Sequence, residues 1–268
     1  MLLFKKKNIY LKWFINGKNL FYYFNYNKKF WLMKKKIVFT GGYGRFAKVF
    51  KNTPLNEKIY FPKKKELNIE NYNSIEKYLK KIKPTHLIHA AALSRPMNIH
   101  EKNIIKSIKT NIIGTANVVS ACHKQNIKLI YFSTNYVYPG KKGNYKETDP
   151  VLPINKYAIS KYGGECSVQM YENSLILRIC MTEKPFIHKK AFSDVEMNFM
   201  FHETLAKNLL RLIDHKGIMN IGGKKQSVLN FAKKNNKKIE KISAKKIYGK
   251  NYPLKQSMNI NLYKKAIK

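Results

Sequence analysis

The chain has 268 residues, of which 53 are Lys or Arg and 15 are Asp or Glu, so its formal net charge is +38. Such a charge ordinarily indicates nucleic acid or an anionic membrane as partner. However, arginine, whose planar fork suits phosphate best, occurs at four positions only, and the lysines are spread along the whole chain. We therefore predict no specific nucleic-acid partner, and the length allows one core sheet with a small appended lobe.

The first 32 residues precede the predicted fold. They interleave aromatic residues with Lys and Asn, and they contain neither an apolar run of about 18 residues that could span a membrane nor a clear signal-peptide pattern. Met33 lies three residues before the first predicted strand. We interpret residues 1–32 as a disordered arm or as the result of a mis-assigned start, with a membrane-surface role as the alternative.

A glycine-rich turn follows the first predicted strand. The apolar run Lys36–Thr40 indicates a buried strand, and Gly41, Gly44 and Ala47 then follow at the spacing Gly-x-x-Gly-x-x-Ala before a helix-compatible segment. Strand, turn and helix in this order allow the backbone to approach a pyrophosphate at the start of the helix. The sequence therefore predicts a dinucleotide site here.

Strands and helices then alternate. The predicted strands are Glu57–Phe61, Thr85–Ala92, Lys128–Phe132 and Leu175–Arg178, and the predicted helices are Ile75–Ile82 and Ile104–Gln125. Continuous apolar strands that alternate with helices indicate an α/β fold with a Rossmann-type, doubly wound parallel sheet. We place this domain at residues 33–178 and a reduced substrate-binding lobe, interleaved with the sheet, at 179–268. Within that lobe, the basic stretch Lys233–Lys246 is compatible with a helix.

A tyrosine and a lysine lie four residues apart, at Tyr157 and Lys161. On a helix this spacing places both side chains on one face. A neighbouring positive charge favours the phenolate and lowers the pKa of tyrosine from its ordinary value of about 10. A tyrosine tuned in this way can exchange a proton with an alcohol or carbonyl oxygen.

These motifs together resemble the extended short-chain dehydrogenases/reductases, and among them the dTDP-4-dehydrorhamnose reductase family. The resemblance is close over about Lys34–Arg178. Its segments are Thr40–Ala47, Glu66–Ile69, His89–Ala92, Asn111–Thr115, Phe132–Gly140, Tyr145–Pro150 and Pro153–Tyr157.

The resemblance implies a role for each matching residue. Tyr157 would donate a proton to the substrate carbonyl oxygen as hydride arrives from NADPH or NADH, and Lys161 would lower its pKa and bind the nicotinamide ribose. Thr134 would hold the same oxygen beside Asn135, and Asn111 would support the site. The implied cofactor-binding residues are Gly41, Tyr43, Gly44, Arg45, Phe46, Asn68, Ile69, Ala90, Ala91 and Ala92, together with Tyr157 and Lys161.

The sequence departs from the family pattern in three places. Asn68 and Asn135 stand where the family usually has Asp, and the segment between Arg178 and Gly217 is shorter than the family's substrate-binding helix and loop. In addition, the basic Pro62–Lys65 follows the second strand, where an acidic residue would bind the adenosine ribose. We therefore predict that NADPH is accepted at least as well as NADH.

The predicted function is reduction of the keto group of a nucleotide-activated 4-keto-deoxysugar, in polysaccharide precursor synthesis. The alternatives are a related nucleotide-sugar epimerase or dehydratase, and a non-catalytic, nucleotide-binding regulatory subunit. Three cysteines without metal-type spacing, Cys122, Cys166 and Cys180, are typical of reduced thiols in the cytoplasm. We predict no metal, a nucleotide-sugar substrate and no membrane span, and we leave a homodimer open.

Overall fold

A computed structural model of the chain describes residues 3–5, 8–15, 18–24 and 35–268. The chain divides into two units, Met1–Lys35 and Lys36–Lys268. In the first unit, β1 (Leu3–Lys5), β2 (Asn8–Ile15) and β3 (Lys18–Phe24) form an antiparallel sheet. These strands differ from the disordered arm expected of residues 1–32, whereas a mis-assigned start stays a prediction. Residues 25–34, which include the predicted boundary at 33, lie outside the described residues.

The second unit is built of alternating strands and helices. Its strands are β4 (Lys36–Thr40), β5 (Lys58–Tyr60), β6 (His86–His89), β7 (Lys128–Thr134), β8 (Ser174–Ile179), β9 (Met181–Thr182), β10 (Lys190–Phe192), β11 (Glu196–Met197), β12 (Met200–Phe201), β13 (Gly217–Ile221), β14 (Gln226–Ser227) and β15 (Glu240–Ile242). Its α-helices are α1 (Arg45–Lys51), α2 (Tyr72–Ile82), α3 (Ile99–Lys102), α4 (Ile104–Ser107), α5 (Gly114–Lys124), α6 (Lys156–Gln169), α7 (His202–Leu212), α8 (Val228–Lys233), α9 (Ala244–Tyr248) and α10 (Asn261–Ala266).

The central sheet has six parallel strands in the order β13-β8-β7-β6-β4-β5. Strand β5 lies on one side of β4, and the later strands extend from the other side, so the order reverses next to β4. In an open α/β sheet, ligands bind outside the carboxyl ends of the strands at such a point. The predicted fold class, a doubly wound parallel sheet, is confirmed.

Helices cover both faces of this sheet, and successive strand residues alternate between them. Phe39 belongs to the buried cluster on the face that carries α1 and α7, together with Phe46 and Leu209. Its neighbour Val38 belongs to the cluster on the opposite face, with Leu79 of α2 and Val118 of α5. Because the interior strands β4, β6, β7 and β8 are buried on both sides, their sequences are largely apolar rather than alternating.

The remaining strands are short and pair outside the central sheet, β9 with β12, β10 with β15 and β11 with β14. The predicted domain boundary at residue 178 stays a prediction. The helical expectation for Lys233–Lys246 is wrong, because α8 ends at Lys233 and the segment turns into β15. Asn236 favours that turn, since its side chain accepts a hydrogen bond from the backbone of Lys238. Across the described residues, no helix combines the length and apolar character needed to cross a membrane.

Candidate active site

A groove of about 620 Å³ lies at the carboxyl ends of β4 and β6. Its floor is the glycine-rich turn, whose Gly41 has a φ of +71°. A Cβ added at Gly41 would lie 2.9 Å from the backbone of Ala91, so both the turn and the close approach of two strand ends require glycine there. Besides Tyr157 and Lys161, ten residues are expected to hold the dinucleotide, and all ten line this groove. They are Gly41, Tyr43, Gly44, Arg45, Phe46, Asn68, Ile69, Ala90, Ala91 and Ala92.

A second cavity of about 850 Å³ adjoins this groove. Thr134, Asn135 and Tyr157 contribute to its wall. The two cavities share lining residues and are therefore contiguous. The shared residues are Arg45, Ser94, Arg95, Met181 and His202.

Tyr157 lies in the first turn of α6, which begins where the side chain of Asn155 accepts a hydrogen bond from the backbone N–H of Ala158 at 2.8 Å. Burial raises the pKa of Tyr157 to about 12, and a hydrogen bond with Thr134 and the charges of Arg45 and Arg95 offset part of this rise. The expectation of a lowered pKa is therefore wrong, because the cost of burying a phenolate exceeds the effect of these charges.

Lys161 is buried one turn further along α6. Its ammonium lies over the ring of Tyr131, 4.2 Å from the centroid. Burial lowers the pKa of Lys161 to about 7, and the carboxylate of Glu165 offsets part of that shift. Neither Lys161 nor Asn111 lines either cavity. Both side chains therefore lie behind the wall that carries Tyr157.

Asn111 is fully buried in a π-helical segment, Ile108–Ile113, between α4 and α5. Its side chain accepts a hydrogen bond from the backbone N–H of Leu93 at 2.8 Å and donates to the carbonyl oxygen of Leu93 at 2.9 Å. It also donates to Ser160 Oγ at 2.8 Å. Asn111 thus ties the loop after β6 to helix α6. The widened turn interrupts the single helix predicted over Ile104–Gln125, as π-turns often do near functional sites.

A buried ion pair anchors the same helix to the sheet. Glu165 of α6 and Arg178 of β8 are 0% and 3% exposed, and Arg178 Nη2 lies 2.7 Å from Glu165 Oε1. Ser133, which precedes Thr134 on β7, donates a hydrogen bond to the other carboxylate oxygen. The helix carrying Tyr157 and the strand end carrying Thr134 are therefore linked through one carboxylate.

Sequence reasoning missed three charged or titratable side chains at the junction of the cavities. Arg95 and Glu183 form an ion pair there, and Arg45 Nε lies 3.6 Å from Glu183 Oε1. His202 is buried, and its Nδ1 has no hydrogen-bond partner in the part of the chain that the structure describes. These residues come from separate segments and share no motif, so only the fold brings them together. Among the described residues, no His, Cys, Asp and Glu side chains form a metal-binding group.

Three comparisons with known proteins agree with this geometry. The dTDP-4-dehydrorhamnose reductase of Aggregatibacter actinomycetemcomitans is 29% identical over 158 residues, which are 58% of this chain and 48% of that protein. Methionine adenosyltransferase 2 subunit beta of Pongo abelii is 25% identical over 154 residues, which are 58% of this chain and 45% of that protein. The match thus spans about half the length of these curated relatives.

Among solved structures, the dTDP-4-dehydrorhamnose reductase of Bacillus anthracis in complex with NADP superimposes with a TM-score of 0.76 at 23% identity. The match covers 87% of this chain and 92% of that one, and it shows a shared fold. The family model described as the RmlD substrate binding domain matches residues 35–186, more than half of the chain. The predicted resemblance to dTDP-4-dehydrorhamnose reductases among the extended short-chain dehydrogenases/reductases is thereby confirmed, and the chain belongs to the RmlD substrate binding domain family.

Proposed function

We propose that the protein is an NAD(P)H-dependent reductase of a nucleotide-activated 4-keto-deoxysugar. One observation carries the proposal: Tyr157 and Thr134 lie together at the wall of a cavity that opens onto the glycine-rich groove, close enough for Thr134 to act on the pKa of Tyr157. A proton donor and an oxygen-holding group thus adjoin a groove suited to a dinucleotide. The reductase activity of the Aggregatibacter relative and the NADP bound in the Bacillus structure support the same proposal.

The residues of the groove fit a dinucleotide. The backbone at Gly41 and Gly44 leaves a cradle that a side chain would fill, since a Cβ at Gly44 would lie 3.1 Å from the carbonyl oxygen of Gly41. Beyond β5, Pro62 and Lys64 line the adenosine end expected for the groove. Lys64 pairs with Glu70 at 3.6 Å and is 72% exposed, so it is free to reorient toward a 2′-phosphate. These features support the proposal that NADPH is used at least as well as NADH.

The bound nicotinamide would supply hydride to the substrate carbonyl carbon. With a pKa of about 12, Tyr157 carries its proton at neutral pH and can donate it to the oxygen on which negative charge develops. Thr134 lies beside it and can hold the same oxygen. The positive charges of Arg45 and Arg95, which lower the pKa of Tyr157, would stabilise the phenolate that remains.

Asn135 supports binding of a polar substrate in the larger cavity. It is 4% exposed, and its side-chain nitrogen has no hydrogen-bond partner among the described residues. A buried donor without a partner costs about 1–3 kcal/mol, and an acceptor oxygen on a sugar would remove that cost. Asn135 is therefore our candidate for a substrate-orienting residue.

Two finer assignments belong to the same proposal. We place the protein in the cytoplasm, because Cys122, Cys166 and Cys180 are free thiols and such thiols are typical of a reducing compartment. We leave its assembly as a homodimer to sedimentation velocity, in which a single species at the mass of one chain would exclude the dimer.

The test is a screen of dTDP-, GDP- and UDP-activated keto-deoxysugars in which NADPH oxidation is followed by absorbance. The proposal predicts turnover with at least one of them. Binding of NADPH without turnover of any substrate would contradict it and favour a non-catalytic, nucleotide-binding regulatory subunit. Dinucleotide that stays bound through purification and is recycled during turnover would favour an epimerase or dehydratase.

A further inference from the structure

The junction between the groove and the larger cavity is bridged by one carboxylate. Glu183, which follows β9, lines the larger cavity, and among the described residues of that lining it is the sole carboxylate. The basic side chains of the same wall are Arg45, Arg95, His188, Lys189, Lys190 and His202. A wall of this composition attracts anions, and Glu183 is the internal group that opposes them.

Glu183 contacts the two arginines that lie on the border of both cavities. Arg95 Nη1 lies 2.5 Å from Glu183 Oε2, and Arg45 Nε lies 3.6 Å from Glu183 Oε1. Arg45 also donates a hydrogen bond from Nη2 to Ser94 Oγ at 3.0 Å. One carboxylate therefore joins the glycine-rich turn, the loop after β6 and the segment after β9.

Two anionic groups compete for the guanidinium of Arg45. It follows Gly44 in the turn that would hold the pyrophosphate, and a guanidinium beside a pyrophosphate forms charge-assisted hydrogen bonds to it. The same guanidinium is attracted by the Glu183 carboxylate, which carries the same sign of charge as the pyrophosphate. When the dinucleotide binds, Arg45 must therefore either leave the Glu183 carboxylate for the pyrophosphate or interact with both anions at once.

We propose that Glu183 is an internal competitor for Arg45 and thereby sets the affinity of the groove for the dinucleotide pyrophosphate. This inference rests on the proposed function in so far as the groove takes a dinucleotide. Arg95 moderates the competition, because it holds the carboxylate on the side of the larger cavity. Glu183 is thus an affinity-determining residue that takes no part in proton or hydride transfer.

The test compares the dissociation constant of NADPH for the wild-type protein and for Glu183→Gln, measured in the full chain by titration of nicotinamide fluorescence. The partly exposed ion pair Arg45–Glu183 is worth at most about 1 kcal/mol. Its removal in Glu183→Gln should therefore tighten NADPH binding about three- to fivefold. The gain should shrink at about 1 M salt, where charges are screened within about 3 Å.

Glu76→Gln is the matched control. Glu76 on α2 also bridges two cations, Lys124 at 2.7 Å and Lys80 at 3.4 Å, and it lines neither of the two cavities that meet at Glu183. The same loss of one negative charge should leave its NADPH affinity within about 1.5-fold of wild type, since distant exposed charges are screened.

Three outcomes would overturn the inference. They are unchanged affinity in Glu183→Gln, weakened affinity because Glu183 orients Arg45 for the ligand, and an equal gain in Glu76→Gln. Each of these leaves NADPH binding to the wild-type protein intact, and so leaves the proposed function standing. Absence of NADPH binding to the wild-type protein would instead contradict the proposed function itself.

Discussion

Removal of one partner from the buried pair Glu165–Arg178 should destabilise the protein strongly. At an effective dielectric constant of about 20, two unit charges at the observed 2.7 Å attract each other by roughly 6 kcal/mol, much of which offsets desolvation. Arg178→Met leaves the Glu165 carboxylate buried without its counter-charge. We therefore expect the free energy of unfolding to fall by about 3–5 kcal/mol.

An exposed ion pair of nearly equal length provides the control. Lys156 Nζ lies 2.6 Å from Glu101 Oε2, but the two side chains are 47% and 55% exposed. Because solvent screens this pair, Lys156→Met should cost less than about 1 kcal/mol. The double variant Glu165→Leu/Arg178→Met should lose less stability than Arg178→Met alone, since no unpaired charge stays buried.

The assay is urea denaturation followed by circular dichroism. Tryptophan fluorescence is unsuitable because both tryptophans, Trp13 and Trp31, belong to the Met1–Lys35 unit rather than to the sheet that holds the pair. Equal losses for Arg178→Met and Lys156→Met would refute the reasoning, because burial would then make no difference between two pairs of nearly equal distance.

Two further predictions concern Gly41 and His89. Gly41→Ala should destabilise the protein more than Gly217→Ala, because both glycines have positive φ but a Cβ at Gly217 meets nothing within 4 Å; equal urea midpoints for the two variants would contradict this. Burial lowers the pKa of His89 to about 3. As the pH falls below about 6.5, His89 is therefore protonated in the unfolded chain but stays neutral in the folded protein. The free energy of unfolding decreases over this range until the pH reaches about 3. Relative to His89→Leu, the wild-type protein should lose roughly 2.5 kcal/mol between about pH 7 and pH 4.5; parallel pH profiles would contradict the shift.

The sheet and the groove could be predicted because their signals are local. A strand buried on both faces is a continuous apolar run, as in Lys128–Thr134, and a turn at positive φ with no room for a side chain must contain glycine, as at Gly41. Both constraints act within a few consecutive residues. These two signals can therefore be detected even in a chain whose composition is strongly biased toward lysine.

The electrostatics of the site could not be predicted in the same way. Spacing places Tyr157 and Lys161 on one helix face, but it does not report how deeply each side chain is buried. Burial decides the direction of both shifts, since it raises the pKa of Tyr157 and lowers that of Lys161. The charges that act on Tyr157 come from Arg45 and Arg95, 112 and 62 residues earlier in the sequence.

The central claim is that Tyr157 delivers the proton during reduction of a keto sugar. The measurement that tests it most directly is the turnover of Tyr157→Phe with a nucleotide keto-deoxysugar accepted by the wild-type protein, alongside its dissociation constant for NADPH. We predict a loss of about 10²- to 10⁴-fold in turnover, with NADPH affinity within about twofold of wild type. Turnover near the wild-type rate would contradict the account.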